Sequence, residues 1–546
     1  MTSGSPLPAA SVTPDDGTRL PRLERSGTAT RLVVDGEPYL IRGGELGNSS
    51  AERTYLAEHW PRLQALGLNT VVAPVYWDVV EPAEGTFDWR SVEELIDDAA
   101  AHGMRLVLLW FGSWKNSMSC YAPGWVKRDV ERFPRSRDSH GRALEILTPF
   151  SETSRDADAR AFAALLRRLR EYDREHVVVL VQVENEIGMI PEARDHTPEA
   201  EEAFAGPVPA ELMAYLQKHR ETLAPELLER WTTAGQRTDG TWTDVFGEGP
   251  ATEELFMAWA FARYVQPVAA AGKAELDLPM YTNAALIRPG HLPGQYPSAG
   301  PLPHLIDVWR AGAPALDFIA PDIYFPEFAL WADRYTRGGN PLFVPEALRS
   351  TDAAANALYA FGAHGAIGFS PFGIETIDGP AAEALTAAYD VVRQLEPLIV
   401  AHAGDGSMTA LLPPTESQRA PHRVVFGDLV LGATYERIAA PSLADGVINE
   451  ADDRSTDLTR LPAAAIVIRT GPDEFVIAGT GVTVTFASAR AGSESVGILN
   501  CAEGRYDDGV WEHRRWLNGD QTHQGRHLRL EPGRFTIQRV RLYRYS

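Results

Sequence analysis

Cysteine is almost absent from this chain, because Cys120 and Cys501 are the only two among 546 residues. Two distant thiols exclude a disulfide framework and a cysteine-bound metal cluster, and their scarcity is typical of a protein of the reducing cytoplasm. Long apolar runs are also missing, so we expect no membrane-spanning helix and no membrane partner.

Positive charge is scarce as well. The chain has 51 Lys and Arg against 74 Asp and Glu, which gives a formal net charge of -23. No basic stripe offsets this excess, so nucleic acid and anionic membrane surfaces are excluded as partners. We expect a neutral, small-molecule substrate.

The common cofactor and nucleophile motifs are also lacking. The sequence contains no phosphate-binding glycine loop, no HExxH, no CxxC and no GxSxG elbow, and its 14 histidines form no evident cluster. We therefore predict no required cofactor and no metal site.

The N-terminal segment differs in composition from the rest of the chain. Residues 1–27 are rich in Pro, Ser, Thr and Gly, and they lack the basic start and apolar stretch of a secretory signal. We predict a flexible arm over 1–27 and a cytoplasmic location.

From residue 28 onward, short apolar strands alternate with amphipathic helical segments, a pattern that indicates a parallel sheet. Eight strands are the number that a closed barrel requires. The predicted strands are 39–42, 70–75, 105–110, 177–183, 279–282, 318–320, 342–344 and 366–369. The sequence therefore predicts an α/β fold, a (β/α)8 barrel over 28–395, with a helical insertion at about 191–273 after strand four.

The pattern of apolar and polar residues changes after this barrel. Residues 396–546 contain short alternating runs separated by Gly, Pro and Asp turns, which predicts an antiparallel β-sandwich domain. It could cap the barrel, form a homo-oligomer contact or bind glycan. Trp511 and Trp516 are the aromatic residues to check for stacking on sugar.

Two glutamates follow apolar strands of the predicted barrel. Glu186 comes after Asn185 at the end of strand four, and Glu346 closes strand seven. A second Asn-Glu pair, Asn449-Glu450, follows a loop-like segment instead. Because barrel enzymes place their chemistry at the carboxyl ends of the strands, the first pair and Glu346 are the candidates for a two-carboxylate site.

Five longer motifs carry a resemblance to a known family. They are YWDVVEPAEGTFDW, LWFGSWKNSMSCYAPGWVK, VQVENEIG, GPLPHLIDVWRAGAPALDFIAPDIY and PLFVPEA. Together they resemble clan A glycoside hydrolases, and especially family 35 and family 42 β-galactosidases of the bacterial branch with a C-terminal β-sandwich. The resemblance covers roughly residues 30–546.

That resemblance implies roles for four residues. Glu186 would be the acid/base and Glu346 the nucleophile of a retaining double displacement. Asn185 would hydrogen-bond the sugar 2-hydroxyl, and Tyr324 would hydrogen-bond the nucleophile. The activity implied is exo-acting hydrolysis of terminal β-D-galactosyl residues of small oligosaccharides. A β-glucosidase, a transglycosylase of the same clan and a glycan-binding barrel without turnover are the alternatives.

Further pocket residues are predicted from their place at strand ends. Arg42 would either support the nucleophile or form an internal ion pair, and Glu184 would take a structural role with a partner such as an Arg. Asp322 also lies at a strand end. The other predicted substrate-binding residues are Glu45, Tyr76, Trp114, Lys115, Asn116, Asn283 and Phe372.

Overall fold

A computed structural model describes residues 20–414, 421–436, 461–490, 492 and 494–546. Among these residues, no helix has both the length and the apolar character needed to cross a bilayer.

Thirteen strands lie in the N-terminal part of the described chain. They are β1 (Arg22–Ser26), β2 (Ala29–Val34), β3 (Glu37–Tyr39), β4 (Ile41–Glu45), β5 (Thr70–Tyr76), β6 (Arg105–Lys115), β7 (Arg135–Arg137), β8 (Ala143–Leu147), β9 (Val178–Asn185), β10 (Met280–Ala285), β11 (Phe318–Ile323), β12 (Phe343–Ala347) and β13 (Gly368–Pro371).

The α-helices of the described chain connect these strands. They are α1 (Arg53–Leu56), α2 (Trp60–Ala65), α3 (Trp77–Val80), α4 (Arg90–Ala101), α5 (Gly124–Arg128), α6 (Glu152–Tyr172), α7 (Pro198–Ala205), α8 (Ala210–Lys218), α9 (Pro225–Thr233), α10 (Trp242–Phe246), α11 (Pro250–Glu275), α12 (Ile306–Gly312), α13 (Phe328–Tyr335), α14 (Asp352–His364) and α15 (Gly379–His402).

Eight parallel strands close into a barrel, as the sequence predicts. Their order around the barrel is β4-β5-β6-β9-β10-β11-β12-β13, with β13 paired back to β4. Each contains or overlaps one of the eight predicted strands. Side chains alternate along each strand between the barrel interior and the surrounding helices. The interior holds aromatic and branched residues, including Phe111, Tyr281, Phe318 and Phe343.

The segment between β9 and β10 contains more than an insertion. Helices α7 to α10 are short, and they form the extra lobe. Helix α11 is 26 residues long and packs along α6. It therefore serves as an outer helix of the barrel, and the predicted insertion at 191–273 includes most of it.

The C-terminal part is a two-sheet sandwich, as predicted. Its strands are β14 (Met408–Leu411), β15 (His422–Phe426), β16 (Leu429–Tyr435), β17 (Ala464–Gly471), β18 (Glu474–Thr480), β19 (Val482–Ser488), β20 (Ser495–Asp507), β21 (Val510–Trp516), β22 (Leu528–Leu530) and β23 (Thr536–Tyr545). The six-stranded sheet has the order β14-β17-β18-β23-β20-β21, and the four-stranded sheet has the order β15-β16-β19-β22.

The six-stranded sheet is buried on both faces in the region of β17. Ala464, Ile466 and Ile468 join the hydrophobic core of the barrel, whereas Ala465 and Val467 face the second sheet. Strand β17 contacts α14, one of the outer helices of the barrel. The sandwich thus covers one side of the barrel, which agrees with the capping role.

The two tryptophans singled out in this domain differ in environment. Trp511 packs beside Tyr506 and Arg539 and against the core shared with the barrel. Trp516 is 61% exposed and lies beside His513. Of the two, Trp516 has the open face that stacking on a sugar would need.

Two predicted boundaries are wrong. Helix α15 continues to His402, because its buried side chains extend to Ile399, so the barrel does not end at residue 395. Residues 22–26 of the predicted arm form β1, which pairs antiparallel with β2. Residues 1–19 of that arm and the pair Asn449-Glu450 lie outside the described residues.

Replacing Ile466 with Ala tests the contact between sandwich and barrel. Ile466 is fully buried against Gly362 of α14, so the change should lower the free energy of unfolding by about 2–5 kcal/mol. Val425 is 72% exposed, and Val425→Ala should cost less than about 0.5 kcal/mol. Urea unfolding of both variants measures the difference, and equal midpoints would rule out the buried interface.

Candidate active site

Four carboxyl groups meet at the carboxyl-terminal mouth of the barrel. Glu45 ends β4, Asp322 lies in β11, Glu346 lies in β12, and Glu186 directly follows β9. All four side chains are buried, with at most 6% exposed. Carboxylate oxygens of Glu186, Asp322 and Glu346 lie within 4.8 Å of one another. The structure thus brings together the two glutamates that the sequence singled out.

The spacing of Glu186 and Glu346 bears on the reaction they can perform. Carboxyl groups of retaining glycosidases are about 5–5.5 Å apart, whereas inverting enzymes need about 6.5–9.5 Å to admit a water molecule. Oxygens of this pair approach within 4.8 Å. The arrangement fits direct attack by one carboxylate and proton donation by the other.

Glu346 has the environment of a buried nucleophile. Tyr324, in the loop after β11, donates a hydrogen bond to its Oε1. Burial raises the pKa of Glu346 to about 7, and the negative charge of Glu186 adds to the increase. The charge of Lys115 and hydrogen bonds from Tyr324 and Glu45 lower the pKa and so favour the ionised form.

Glu186 is fixed by both its backbone and its side chain. Its N–H donates to Oδ1 of Asn283 at 2.9 Å, and Asn116 donates from Nδ2 to its Oε2. Glu186 and Asn116 both adopt positive φ, at 44° and 48°. This conformation is uncommon for residues other than glycine and often marks functional sites.

The side-chain amide of Asn185 is available for hydrogen bonding. The residue is fully buried, and both Oδ1 and Nδ2 have no hydrogen-bond partner among the described residues. A buried amide without a partner is costly, so a ligand hydroxyl that both donates and accepts would satisfy it. This fits the role that the resemblance implies.

Glu45 and Lys115 form the side of the pocket next to Glu346. Burial raises the pKa of Glu45 well above its usual value, and the charge of Glu346 raises it further. Both effects favour the protonated form of Glu45. Lys115 supplies the opposing positive charge, and its Nζ lies 5.1 Å from the centre of the Phe111 ring.

Asp322 completes the cluster. Asn283 donates from Nδ2 to Asp322 Oδ2 at 2.6 Å, so a single amide holds both Asp322 and the backbone of Glu186. Burial raises the pKa of Asp322 well above its usual value, and the negative charges of Glu346 and Glu186 raise it further. Asn283 is thus a positioning residue with both amide groups occupied.

The spacing of the three closest carboxyl groups would also admit a cation. We do not assign them as metal ligands, because Tyr324 and Asn116 already donate to two of them. Protonation relieves the same repulsion that a cation would relieve.

Arg42 does not reach the pocket. Its Nη1 forms a 2.7 Å ion pair with Glu396 of α15, outside the barrel. Side chains alternate along β4, so Ile41 and Glu45 point inward while Arg42 points outward. The internal ion pair is therefore the correct alternative, and the substrate-binding assignment is wrong.

Two glycines follow Arg42 in the same strand. Gly43 and Gly44 lie within β4, where added Cβ atoms would come within 2.1 Å of Ser370 Oγ and 2.4 Å of Ile374 Cγ1. These residues are needed for close packing at the barrel wall.

Trp114 is not a sugar-stacking residue. It is fully buried, and it packs edge-on against Phe261 and Tyr264 of α11. Its indole N–H donates to the carbonyl of Leu147. Trp114 shares the outward side of β6 with Trp110, which bonds Asp158 of α6, whereas Lys115 shares the inward side with Phe111.

Glu184 has a structural environment, as predicted, but its neighbour is Asp158 and not an Arg. Its Oε2 accepts the backbone N–H of Trp114 at 2.7 Å. Burial raises the pKa of Glu184 well above its usual value, and the Asp158 charge raises it further. The sequence does not point to Asp158, because a single Asp within a helical segment belongs to no recognisable motif.

The remaining predicted residues lie at the rim. Tyr76 stacks on Tyr121 with ring centres 5.2 Å apart, and its hydroxyl has no partner among the described residues. Phe372 is half-buried and bridges to Glu45 through the backbone. The bridge places Phe372 beside Glu45, whereas Tyr76 packs against aromatic residues.

Comparison with known proteins agrees with this geometry. Residues 49–246 match the family model Glyco_hydro_42, described as Beta-galactosidase. This part of the chain is similar to that family. The predicted resemblance is thereby confirmed for a segment that contains Glu186. Residues 385–529 match a domain of unknown function, DUF5597.

Similar proteins include two curated bacterial β-galactosidases. The Xanthomonas manihotis protein is 32% identical over 197 residues, which is 35% of this chain and 29% of that protein. The BgaA protein of a Thermus species is 28% identical over 165 residues, or 28% of this chain and 24% of that protein. The chain therefore matches less than a third of the length of these relatives.

A solved structure of a β-galactosidase from the psychrophilic Marinomonas ef1 is also similar. It aligns with 66% of this chain and 60% of its own length at 15% identity and a TM-score of 0.46.

The pKa of Glu346 predicts how activity at this candidate site should depend on pH. The ionised form is needed for attack, so kcat/KM should fall as the pH drops through about 7. Lys115→Met removes a charge that lowers this pKa, and it should move the acidic limb to higher pH. Lys218→Met, at an exposed position on α8, is the matched control. An unchanged limb in Lys115→Met would contradict the assigned electrostatics.

Proposed function

We propose that this protein is a retaining exo-β-galactosidase that acts on small oligosaccharides. The observation that carries the proposal is the pair Glu186 and Glu346, buried at the ends of the fourth and seventh barrel strands with oxygens within 4.8 Å. The unpartnered amide of Asn185 beside this pair supports recognition of a sugar hydroxyl. The similarity to Glyco_hydro_42 and the names of the curated relatives support galactose as the sugar.

Two displacements make up the proposed reaction. In the first, Glu346 attacks the anomeric carbon while Glu186 gives its proton to the glycosidic oxygen, and the bond to the leaving group breaks. In the second, Glu186 removes a proton from water, the water oxygen attacks the anomeric carbon, and Glu346 leaves as a carboxylate. Tyr324 and Lys115 would stabilise Glu346 each time its negative charge is present.

The pocket accounts for a neutral substrate. Its polar groups are hydroxyl, amide and carboxyl groups around one lysine, which suits a molecule with many hydroxyl groups. The low cysteine content, with Cys120 exposed and Cys501 buried and both free, supports a reducing cytoplasm as the place of action.

Two alanine variants test the roles of the glutamates. With nitrophenyl β-galactoside, Glu346→Ala should lose more than about 10⁴-fold in kcat, because the covalent step is lost. Glu186→Ala should lose about 10²–10⁴-fold on substrates with poor leaving groups. With a good leaving group, azide should restore turnover in this variant alone, because azide attacks the glycosyl-enzyme without a general base. Glu175→Ala, exposed at the opposite end of the barrel, is the control. Parent-like rates in both active-site variants would exclude the assignment.

The stereochemistry of hydrolysis tests the mechanism separately from the sugar. A time course of NMR spectra should show the β-anomer of the released sugar first, because two displacements retain configuration. An α-anomer as first product would indicate inversion. A panel of nitrophenyl glycosides identifies the sugar, and glucoside turnover without galactoside turnover would replace galactose with glucose.

A further inference from the structure

Asp322 lies between the two catalytic carboxyl groups but takes neither of their roles. It is 1% exposed and pairs in register with Glu346 across β11 and β12. One of its oxygens accepts from Asn283 at 2.6 Å, and the other, Oδ1, has no donor among the described residues. Its carboxylate reaches within 4.8 Å of both Glu186 and Glu346. A third buried carboxyl in this position calls for an explanation.

The charge balance of the cluster suggests why a third carboxyl group lies there. Glu45, Glu186, Asp322 and Glu346 could carry four negative charges, and the opposing charge on Glu45 and Glu346 comes from Lys115. The reaction needs Glu346 ionised and Glu186 protonated at the start. The buried cluster is then neutral only if Glu45 and Asp322 also hold protons.

We propose that Asp322 is a positioning residue for the acid/base: it stays a neutral carboxylic acid and donates its O–H to Glu186 whenever Glu186 is ionised. This inference rests on the proposed function. Geometry supports it, because the free Oδ1 of Asp322 is the atom that would carry the proton, and Asn283 fixes the orientation of the carboxyl group.

The proposed hydrogen bond changes through the cycle without transferring a proton. Glu186 gives its own proton to the leaving oxygen and becomes a carboxylate, which then accepts the O–H of Asp322. When Glu186 takes a proton from water, it no longer needs this donor. Asp322 holds one proton throughout, so its hydrogen bond holds the ionised Glu186 in position to activate water.

The groups that surround Asp322 are consistent with a neutral acid. They are seven residues from the neighbouring strands, the loop after β11 and α13, and the cation Lys115 lies on the side of Glu45. The charged or titratable groups are Glu45, Lys115, Glu186, Tyr281, Tyr324, Tyr335 and Glu346.

The pH profile of Asp322→Asn tests the proposal. The amide still donates to Glu186, so kcat/KM near pH 6 should stay within about tenfold of the parent. The alkaline limb should stay within about half a pH unit of the parent, because the neutral amide replaces a neutral carboxylic acid as donor. An ionised Asp322 would instead raise the pKa of Glu186 in the parent, and its replacement would move the limb down by at least about one pH unit. Asp322→Ala cannot donate and should lose kcat with little change in KM.

Asp333→Asn is the matched control, because Asp333 is an exposed residue of α13 with 62% of its side chain accessible. Its profile should match that of the parent. An alkaline limb in Asp322→Asn that lies at least about one pH unit below that of the control would overturn the proposal, because it would show that Asp322 is ionised in the parent.

Infrared spectroscopy provides a readout that needs neither turnover nor a substitution that might unfold the chain. Parent protein with ¹³C-labelled aspartate carboxyl groups should show the carbonyl stretch of a protonated carboxylic acid at pH 7, and Asp322→Asn should lack this band. Absence of the band from folded parent protein would overturn the proposal. If the parent cleaves no nitrophenyl glycoside but shows the band, the proposed function fails and the proton assignment stands.

Discussion

The site depends on the cost of keeping four carboxyl groups in one buried pocket. Two unit charges about 4.8 Å apart repel by about 3.5 kcal/mol at an effective dielectric constant of about 20. Lys115 can offset only one negative charge. Protons must therefore neutralise the others, and their distribution decides which glutamate attacks and which donates. The repulsion that destabilises the cluster also favours different protonation states for Glu186 and Glu346, which their proposed roles require.

The barrel supplies the rigidity that this arrangement needs. Asn283 on β10 ties Asp322 to the backbone of Glu186, and Tyr324 holds Glu346. Behind β9, Glu184 and Asp158 form a second buried carboxyl pair, in which burial again raises the pKa of Glu184. The sandwich domain covers the outer helices on the side of α14, next to β13.

Much of this could be predicted from the sequence, because the decisive signals are local. Continuous apolar strands are long enough to be recognised, and Glu186 and Glu346 follow two of them, so their meeting is a consequence of barrel closure. The directions of neighbouring side chains were harder to predict. Arg42 points outward because of its parity in β4. Trp114 points outward as Trp110 does, and Lys115 points inward as Phe111 does. Protonation of Glu45 and Asp322 depends on distances between strands that are far apart in the chain.

Covalent trapping tests the account most directly. A 2-deoxy-2-fluoro-β-galactosyl donor with a good leaving group should form a stable glycosyl-enzyme, because the fluorine slows both displacements and the good leaving group restores the rate of the first alone. Mass spectrometry should then find one 2-deoxy-2-fluorogalactosyl group per chain, on the peptide that contains Glu346, and none in Glu346→Ala. Active enzyme that turns over galactosides without forming this adduct, or carries it on another residue, would contradict the assignment of Glu346 as the nucleophile.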